Sequence, residues 1–335
     1  MIELFSYPFM QRALLAALLT GLIAPAIGTY IVQRRLSLLG DGLGHVAIAG
    51  VGLALLTGRA PIPVAVLVCV AGAVAVELLR QRGKATGDVG LAILFYGGLA
   101  AGVLMSGIAG QGAGALSQYL FGSLTTVTSR DLLVVAALAV GVLIPAIGLA
   151  PQLFAVSSDE EFARTQGLRT GAYNLLIVIL AAITVALAMR TVGLLLVSAL
   201  MVVPVAAAQN LVRGFYAALA AAIVIGVTVS VGGAAASFYL DTAPGALIVV
   251  LAIGVFALSW PIAALYRRRR NVAPVLPEPL DDDGELGAPH VVVTEGHPHQ
   301  HHPGCGHRVV QHGDHTDFLH EGHRHAAHAD HYDEH

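Results

Sequence analysis

Long apolar runs separated by short polar or Gly- and Pro-containing breaks fill the first 265 residues. A helix that crosses the hydrocarbon core of a bilayer takes about 20 mostly apolar residues. Nine segments qualify, near 10–32, 43–58, 62–80, 89–109, 131–150, 172–190, 192–212, 215–238 and 244–265. The second is short and glycine-rich, so it is expected to be broken or partly enclosed by its neighbours. An eight-span version in which it does not cross is the alternative. Pro25, Pro145 and Pro204 fall within apolar runs, where each missing amide donor must be compensated by neighbouring helices or a cavity. Such interruptions suit a transport pathway, although Pro and Gly are also simply common in membrane helices. The N-terminal stretch MIELFSYPFMQR lacks a basic segment and a small-residue cleavage site, so it is read as the start of a retained first helix.

The pattern changes after Leu265. YRRRRNVAPVLPEPLDDDGELGAP is a basic stop followed by an acidic, Pro-rich stretch, with too little apolar surface to fold. Three regions follow: a transmembrane body over 1–266, a linker over 267–289, and a His-rich tail over 290–335 that is expected to be disordered.

Composition sharpens this division. Hydrophobic residues make up 56% of the chain and charged residues only 12%, against about a quarter charged in soluble domains. The 38 glycines among Ala, Leu, Val and Ile favour a close-packed all-α bundle of eight or nine spans over a membrane barrel. Residues 1–270 carry a net charge of +7 and residues 271–335 a net charge of -10. Fourteen of the 15 histidines lie in the tail, which leaves His45 alone in the body. Cys69 and Cys305 lie in regions that should not meet, so no disulfide framework is implied.

Cations collect in cytoplasmic loops. With nine spans and the N-terminus outside, twelve fall inside (Arg34, Arg35, Arg80, Arg82, Lys84, Arg164, Arg169, Arg213 and Arg267 to Arg270) against four outside. The tail is therefore expected to be cytoplasmic, and the eight-span alternative agrees.

Two segments carry candidate chemistry. In RRLSLLGDGLGHVAIAGVGLALL, Asp41 and His45 stand four apart and share one face if the segment is helical. A carboxylate and an imidazole suit a borderline dication such as zinc. Two ligands make half a site, which a two-fold homodimer would double. A polar pair near lipid is costly and points to function, yet the same spacing also serves a pair that only hydrogen-bonds helices together. The second segment, PQLFAVSSDEEFARTQGLRTG over 151–171, is a polar interruption. Ser157 or Ser158 is expected to cap a short helix with Asp159, Glu160 and Glu161 in its first turn and Gly167 at its stop. It is read as a cytoplasmic docking element, with an ordinary solvated loop as the alternative.

No phosphate-binding GxxxxGK[ST] loop, HExxH helix, nucleophile elbow or basic aromatic surface occurs, so neither an enzyme nor a nucleic-acid binder is expected. The chain should not hydrolyse ATP unaided. Glu77, Asp88, Asp131 and Asp241 all fall near span ends, which argues mildly against a stand-alone secondary metal transporter with a His-rich regulatory tail. A membrane metal sensor without flux is a third possibility.

Over residues 1–266 the chain resembles the permease subunits of zinc and manganese ABC importers, most of all the ZnuB-like zinc-uptake branch. The resemblance is carried by RRLSLLGDGLGHVAIAGVGLAL, TGDVGLAILF, YLFGSLTTVTSRDL, DEEFARTQGL, VGLLLVSALMVVPVAAA and SFYLDTAPG. It implies a multi-pass plasma- or inner-membrane homodimer, joined to cytosolic ABC ATPase subunits and fed by an extracytoplasmic metal-binding protein. It also implies that Asp41 and His45 line the metal path. The segment around Asp159, Glu160, Glu161, Ala163 and Gly167 would meet the ATPase. The resemblance further implies no permanently bound cofactor, zinc or manganese as the substrate, and ATP used by the partner subunit. Gly44 stands where the family usually has a small hydroxyl residue, and Val205-Ala206 where Ala-Ala is commoner.

The tail lies outside this resemblance. Its imidazoles and interleaved acids, with His297, His299, His301, His302, His307, His312, His315, His320, His323, His325, His328 and His331 as candidate ligands, suit zinc, nickel, cobalt or copper. It could buffer arriving ions or inhibit transport when loaded. A disordered tail with incidental affinity is the alternative.

Overall fold

The computed structural model describes residues 7–82, 87–110, 112–122, 128–191, 193–269, 291–293, 306–312, 315–320, 323–328 and 331–334. It comprises two compact units, Met1–Arg270 and Asn271–His335.

The first unit is a helical bundle of α1 (Pro8–Gln33), α2 (Leu39–Thr57), α3 (Pro61–Gln81), α4 (Gly87–Ile108), α5 (Gly112–Phe121), α6 (Ser129–Gly148), α7 (Ala150–Ser158), α8 (Glu160–Thr165), α9 (Thr170–Thr191), α10 (Leu194–Leu211), α11 (Phe215–Leu240) and α12 (Pro244–Arg269). Eight of these helices are long and apolar enough to cross a membrane, and the ninth expected segment corresponds to the shorter α10. Of the two expectations for the second segment, enclosure by its neighbours holds and a break does not: α2 is continuous over 19 residues, and 78% of its apolar window is buried. Helices α1 and α9 are similarly enclosed, whereas only 22–33% of the apolar windows of α3, α4, α6, α11 and α12 is buried. Prolines 25, 145 and 204 do not break α1, α6 or α10.

Within lipid, helices gain little from hydrophobic association and pack through close backbone approach instead. Glycines provide that approach around α2. A Cβ on Gly98 of α4 would sit 2.6 Å from the backbone of His45 and Val46, and one on Gly102 would sit 2.9 Å from the backbone of Ile48. From the other side, a Cβ on Gly52 would meet the Gly102 carbonyl at 2.6 Å. Gly28 of α1 lies against the Met201 backbone of α10, and Gly40 of α2 faces Ser198. Polar crosslinks add direction. The Tyr30 hydroxyl donates to the Ala146 carbonyl at 2.6 Å, satisfying one of the carbonyls orphaned at the end of α6.

Acidic residues at the span ends have structural tasks. Thr128 and Asp131 form a capping box at the start of α6, and Asp241 caps α11 with φ 49°. Glu77 is buried near the end of α3. The side chain of Asp88 lies outside the described residues. Helix α12 runs to Arg269, so it includes three residues that the sequence assigns to the linker.

The second unit is described only in part. It holds β1 (Val291–Val293), β2 (Arg308–His312), β3 (His315–His320), β4 (His323–His328) and β5 (His331–Glu334), an antiparallel sheet ordered β1-β5-β4-β3-β2. Strands β2 to β5 follow one another through two-residue connections, the length typical of tight hairpins. Phe318 and Leu319 in β3 and Val309 and Val310 in β2 supply apolar positions that the low-complexity reading overlooks.

Candidate functional site: a carboxylate and an imidazole on a buried helix

Asp41 lies in the first turn of α2, where the unpaired amides and the positive end of the helix dipole favour a carboxylate. Its Oδ1 accepts a short hydrogen bond from the Ser198 hydroxyl of α10. One turn later comes His45, only 7% exposed. Its ring meets Phe95 of α4 edge-on, with centroids 4.0 Å apart. His45 Nδ1 is buried without a hydrogen-bond partner among the described residues. A buried polar nitrogen left unpaired is costly, and this one has no protein group to offset that cost among the described residues.

The structure thus brings Asp41 and His45 onto one helix inside the bundle, as their spacing predicts. Among the described residues there is no cluster of three or more His, Cys, Asp or Glu, so the pair stands as two donors. Cys69 of α3 is spent: its thiol donates to the Leu43 carbonyl at 3.3 Å. A separate cavity of about 260 Å³, lined by residues including Phe9, Phe238 and Asp241, lies at the far end of α1. It has none of these donors.

Sequence reasoning missed Ser198, Phe95 and Gly98. Ser198 was discoverable as the lone hydroxyl in the apolar run GLLLVSALMVVP. Gly44, where the family resemblance expects a hydroxyl residue, lies against the Leu194 side chain, which fills the space that a larger residue would need. Val205 is fully buried in a small cluster with Ala208 and Ala222.

The polar interruption folds as two helices. Pro151 occupies the first turn of α7, a position where its missing amide costs nothing. The expected serine cap is corrected: Asp159 is the N-cap of α8, and its Oδ1 accepts from the Phe162 amide at 2.9 Å. Ser157 instead donates to the Phe154 carbonyl, and Ser158 accepts from Gln33 at the end of α1. Glu160 and Glu161 lie in the first turn, and Gly167 stops the helix with φ 80°. Ala163 is fully buried and anchors α8, while Phe162 is 59% exposed. An exposed aromatic ring beside a buried anchor is a feature that the acidic pattern conceals. Substituting Asp159→Ala should destabilise α8 by about 1 kcal/mol. Amide exchange at Phe162 should then quicken roughly five-fold.

A charged cluster joins the end of α3 to Arg34 and to the start of α9. Glu77 accepts two hydrogen bonds from Arg80, at 2.8 and 2.9 Å, and one from Gln81 at 3.1 Å. It also lies 3.9 Å from Arg34. Burial, and then the charge of Arg80, holds the Arg34 guanidinium below its ordinary value, while Glu77 and Glu160 oppose that shift. Gln81 further donates to the Gly171 carbonyl at the start of α9.

In the tail, His297, His299, His301 and His302 lie outside the described residues. His307 is described, and His312, His315, His320, His323, His325, His328 and His331 are strand positions.

Residues 6–263 match the ABC 3 transport family. The chain is 32% identical over 259 residues to the manganese transport system membrane protein MntC of Halalkalibacterium halodurans, covering 77% of this chain and 88% of that protein. It is 29% identical to the high-affinity zinc uptake system membrane protein ZnuB of Haemophilus influenzae, covering 77% and 97%. Among solved structures, PsaBC from Streptococcus pneumoniae in complex with Fab matches with a TM-score of 0.71 and 26% identity, covering 79% of this chain and 97% of that one. These matches replace the stand-alone carrier with a subunit of a larger machine. The chain belongs to the ABC 3 transport family and is the multi-pass membrane permease of a metal-ion ABC importer, whose ATP hydrolysis resides in a separate subunit.

Proposed function

We propose that this permease imports zinc through a path lined by Asp41 and His45 from each of two copies of the chain. The observation that carries this reading is the unpartnered, buried Nδ1 of His45, one helical turn from a carboxylate held by Ser198. One chain offers two donors, and a two-fold dimer offers four. Ion passage requires weak binding, because a closed four-ligand site would hold zinc too firmly for turnover. The Ser198 hydrogen bond supports such weakness by occupying one lone pair of the Asp41 carboxylate.

In this reading, an extracytoplasmic metal-binding protein delivers the ion, and α8 meets the cytosolic ATPase through Glu160, Glu161 and the exposed Phe162. Asp159 and Gly167 hold the helix ends, and Ala163 seats the helix on the bundle. The tail is cytoplasmic and binds metal.

The choice of zinc rests on ligand chemistry: imidazole suits zinc well, whereas manganese prefers oxygen donors. Manganese is the second reading, favoured by the similarity to the manganese transport protein of Halalkalibacterium halodurans. Competitive uptake into liposomes containing the permease, its cognate ATPase and the binding protein decides between them. Zinc should be taken up in preference at equal free concentration. Preferential manganese uptake would overturn the metal assignment.

A further inference from the structure

Helices α1 and α11 meet backbone to backbone at Gly21 and Gly226, where a Cβ on Gly21 would sit 2.8 Å from the Gly226 carbonyl oxygen. About three turns further along each helix, the cavity of about 260 Å³ opens between Phe9 of α1, Phe238 of α11 and the turn into α12. Short alanine side chains in its lining leave space that larger residues would fill. Tyr7 lies against both rings, with its centroid 5.7 Å from that of Phe9 and 6.1 Å from that of Phe238, so the rings belong to one aromatic cluster.

The polar part of the lining is rich in acceptors and negatively charged. It consists of Ser237, Asp241 and Thr242, with no lysine, arginine, histidine or amide side chain. The Ser237 hydroxyl donates to the Ala234 carbonyl at 2.9 Å, which leaves its own oxygen to accept. Asp241 is exposed, and among the described residues no ion pair engages it. Its φ of 49° lies in the left-handed region, where a glycine would end α11 without steric cost; the chain keeps a carboxylate there instead. Asp241 directly follows the apolar span that ends at Leu240, and Tyr239 and Leu240 are both exposed. Tyrosines gather where a span meets the lipid head groups, which sets the cavity at that level.

We propose that this cavity binds the primary ammonium head group of a membrane lipid, as in phosphatidylethanolamine. An ammonium brings three N–H donors and one positive charge, matched by three oxygen-bearing side chains of which one is a carboxylate. Aromatic faces attract a cation within about 6 Å of their centroids. A choline group would gain the rings but has no hydrogen to donate, and an anionic head group would meet Asp241 as a like charge. The space is far larger than the ~30 Å³ of one water and smaller than the about 300–1,000 Å³ of drug-sized pockets, as suits a small head group whose chains stay in the bilayer. Bound there, the lipid ties the start of α1 to the turn between α11 and α12. The site is independent of Asp41, His45 and the identity of the transported metal.

The test is native mass spectrometry of the full-length permease released from nanodiscs made of equal parts phosphatidylethanolamine, phosphatidylcholine and phosphatidylglycerol. The parent chain is compared with D241N and F238L. Asn is tolerated in the left-handed region, so D241N removes the charge and preserves the turn, whereas F238L removes one ring and keeps an apolar side chain. The parent should retain phosphatidylethanolamine at least ~10-fold above the other two lipids. D241N should lose that preference, and F238L should weaken it about three-fold. Equal retention of the three lipids by the parent chain, or an unchanged preference in either variant, would overturn the head-group site. The affinity of the transporter for its metal-loaded binding protein is measured alongside, in nanodiscs without phosphatidylethanolamine. A ~10-fold fall for D241N there, with its lipid preference intact, would overturn the lipid and give the cavity to a cationic side chain of that protein.

Discussion

Alanine at Asp41 or at His45 should each abolish metal uptake in proteoliposomes containing the full transporter, while assembly with the ATPase persists. A dication inside a bundle of apolar helices has few groups to replace its water, and each lost donor leaves it partly unsolvated. Even groups one shell removed from a metal typically change affinity or activity by 10- to 100-fold, so loss of a direct ligand should cost at least about 100-fold. Asp41→Asn separates charge from packing, because the amide oxygen can still accept from Ser198 but carries no charge. It should be nearly as inactive as alanine. Ser198→Ala should reduce uptake less, because it frees the carboxylate without removing it. Normal uptake by D41A or H45A would remove the pair from the path.

Glu77→Ala should have the largest effect on stability, about 3–5 kcal/mol, because it leaves buried cationic partners without their counter-charge. Arg34 is especially exposed to this loss: its side chain is only 6% accessible, and its Nη1 already lacks a hydrogen-bond partner. Arg80 reaches solvent more freely and should tolerate the change. Glu77→Gln keeps acceptor oxygen and volume and should fall between. Thermal unfolding in detergent and proteolysis of the region joining α3 to α9 are the measurements. An unchanged melting temperature for E77A would mean that water screens the cluster and that its ion pairs contribute little.

Most of the body could be read from hydropathy, because a membrane helix advertises itself by length and apolarity alone. All nine expected segments correspond to helices. Hydropathy could not reveal partners. Ser198 lies 157 positions from Asp41, and no periodicity connects them. Local capping rules pointed to Ser157 or Ser158, and tertiary contacts moved the cap on: Gln33 engages Ser158, and Asp159 caps the helix. Helix α5, at ten residues, is too short for a span-length criterion to detect. In the tail, low complexity masked a regular spacing, with histidine pairs bracketing each two-residue connection. Composition describes what a segment is made of, whereas pairing depends on order.

The glycine contacts between α2 and α4 constrain how this machine can move. With Gly98 and Gly102 set against the backbone of His45 and Ile48, neither helix can roll or slide against the other without collision. The two must travel as a single lever. Phe95 of α4 then stays beside His45 of α2, and on the proposed path the ion's exposure to one side or the other would change through the surfaces that close around this lever.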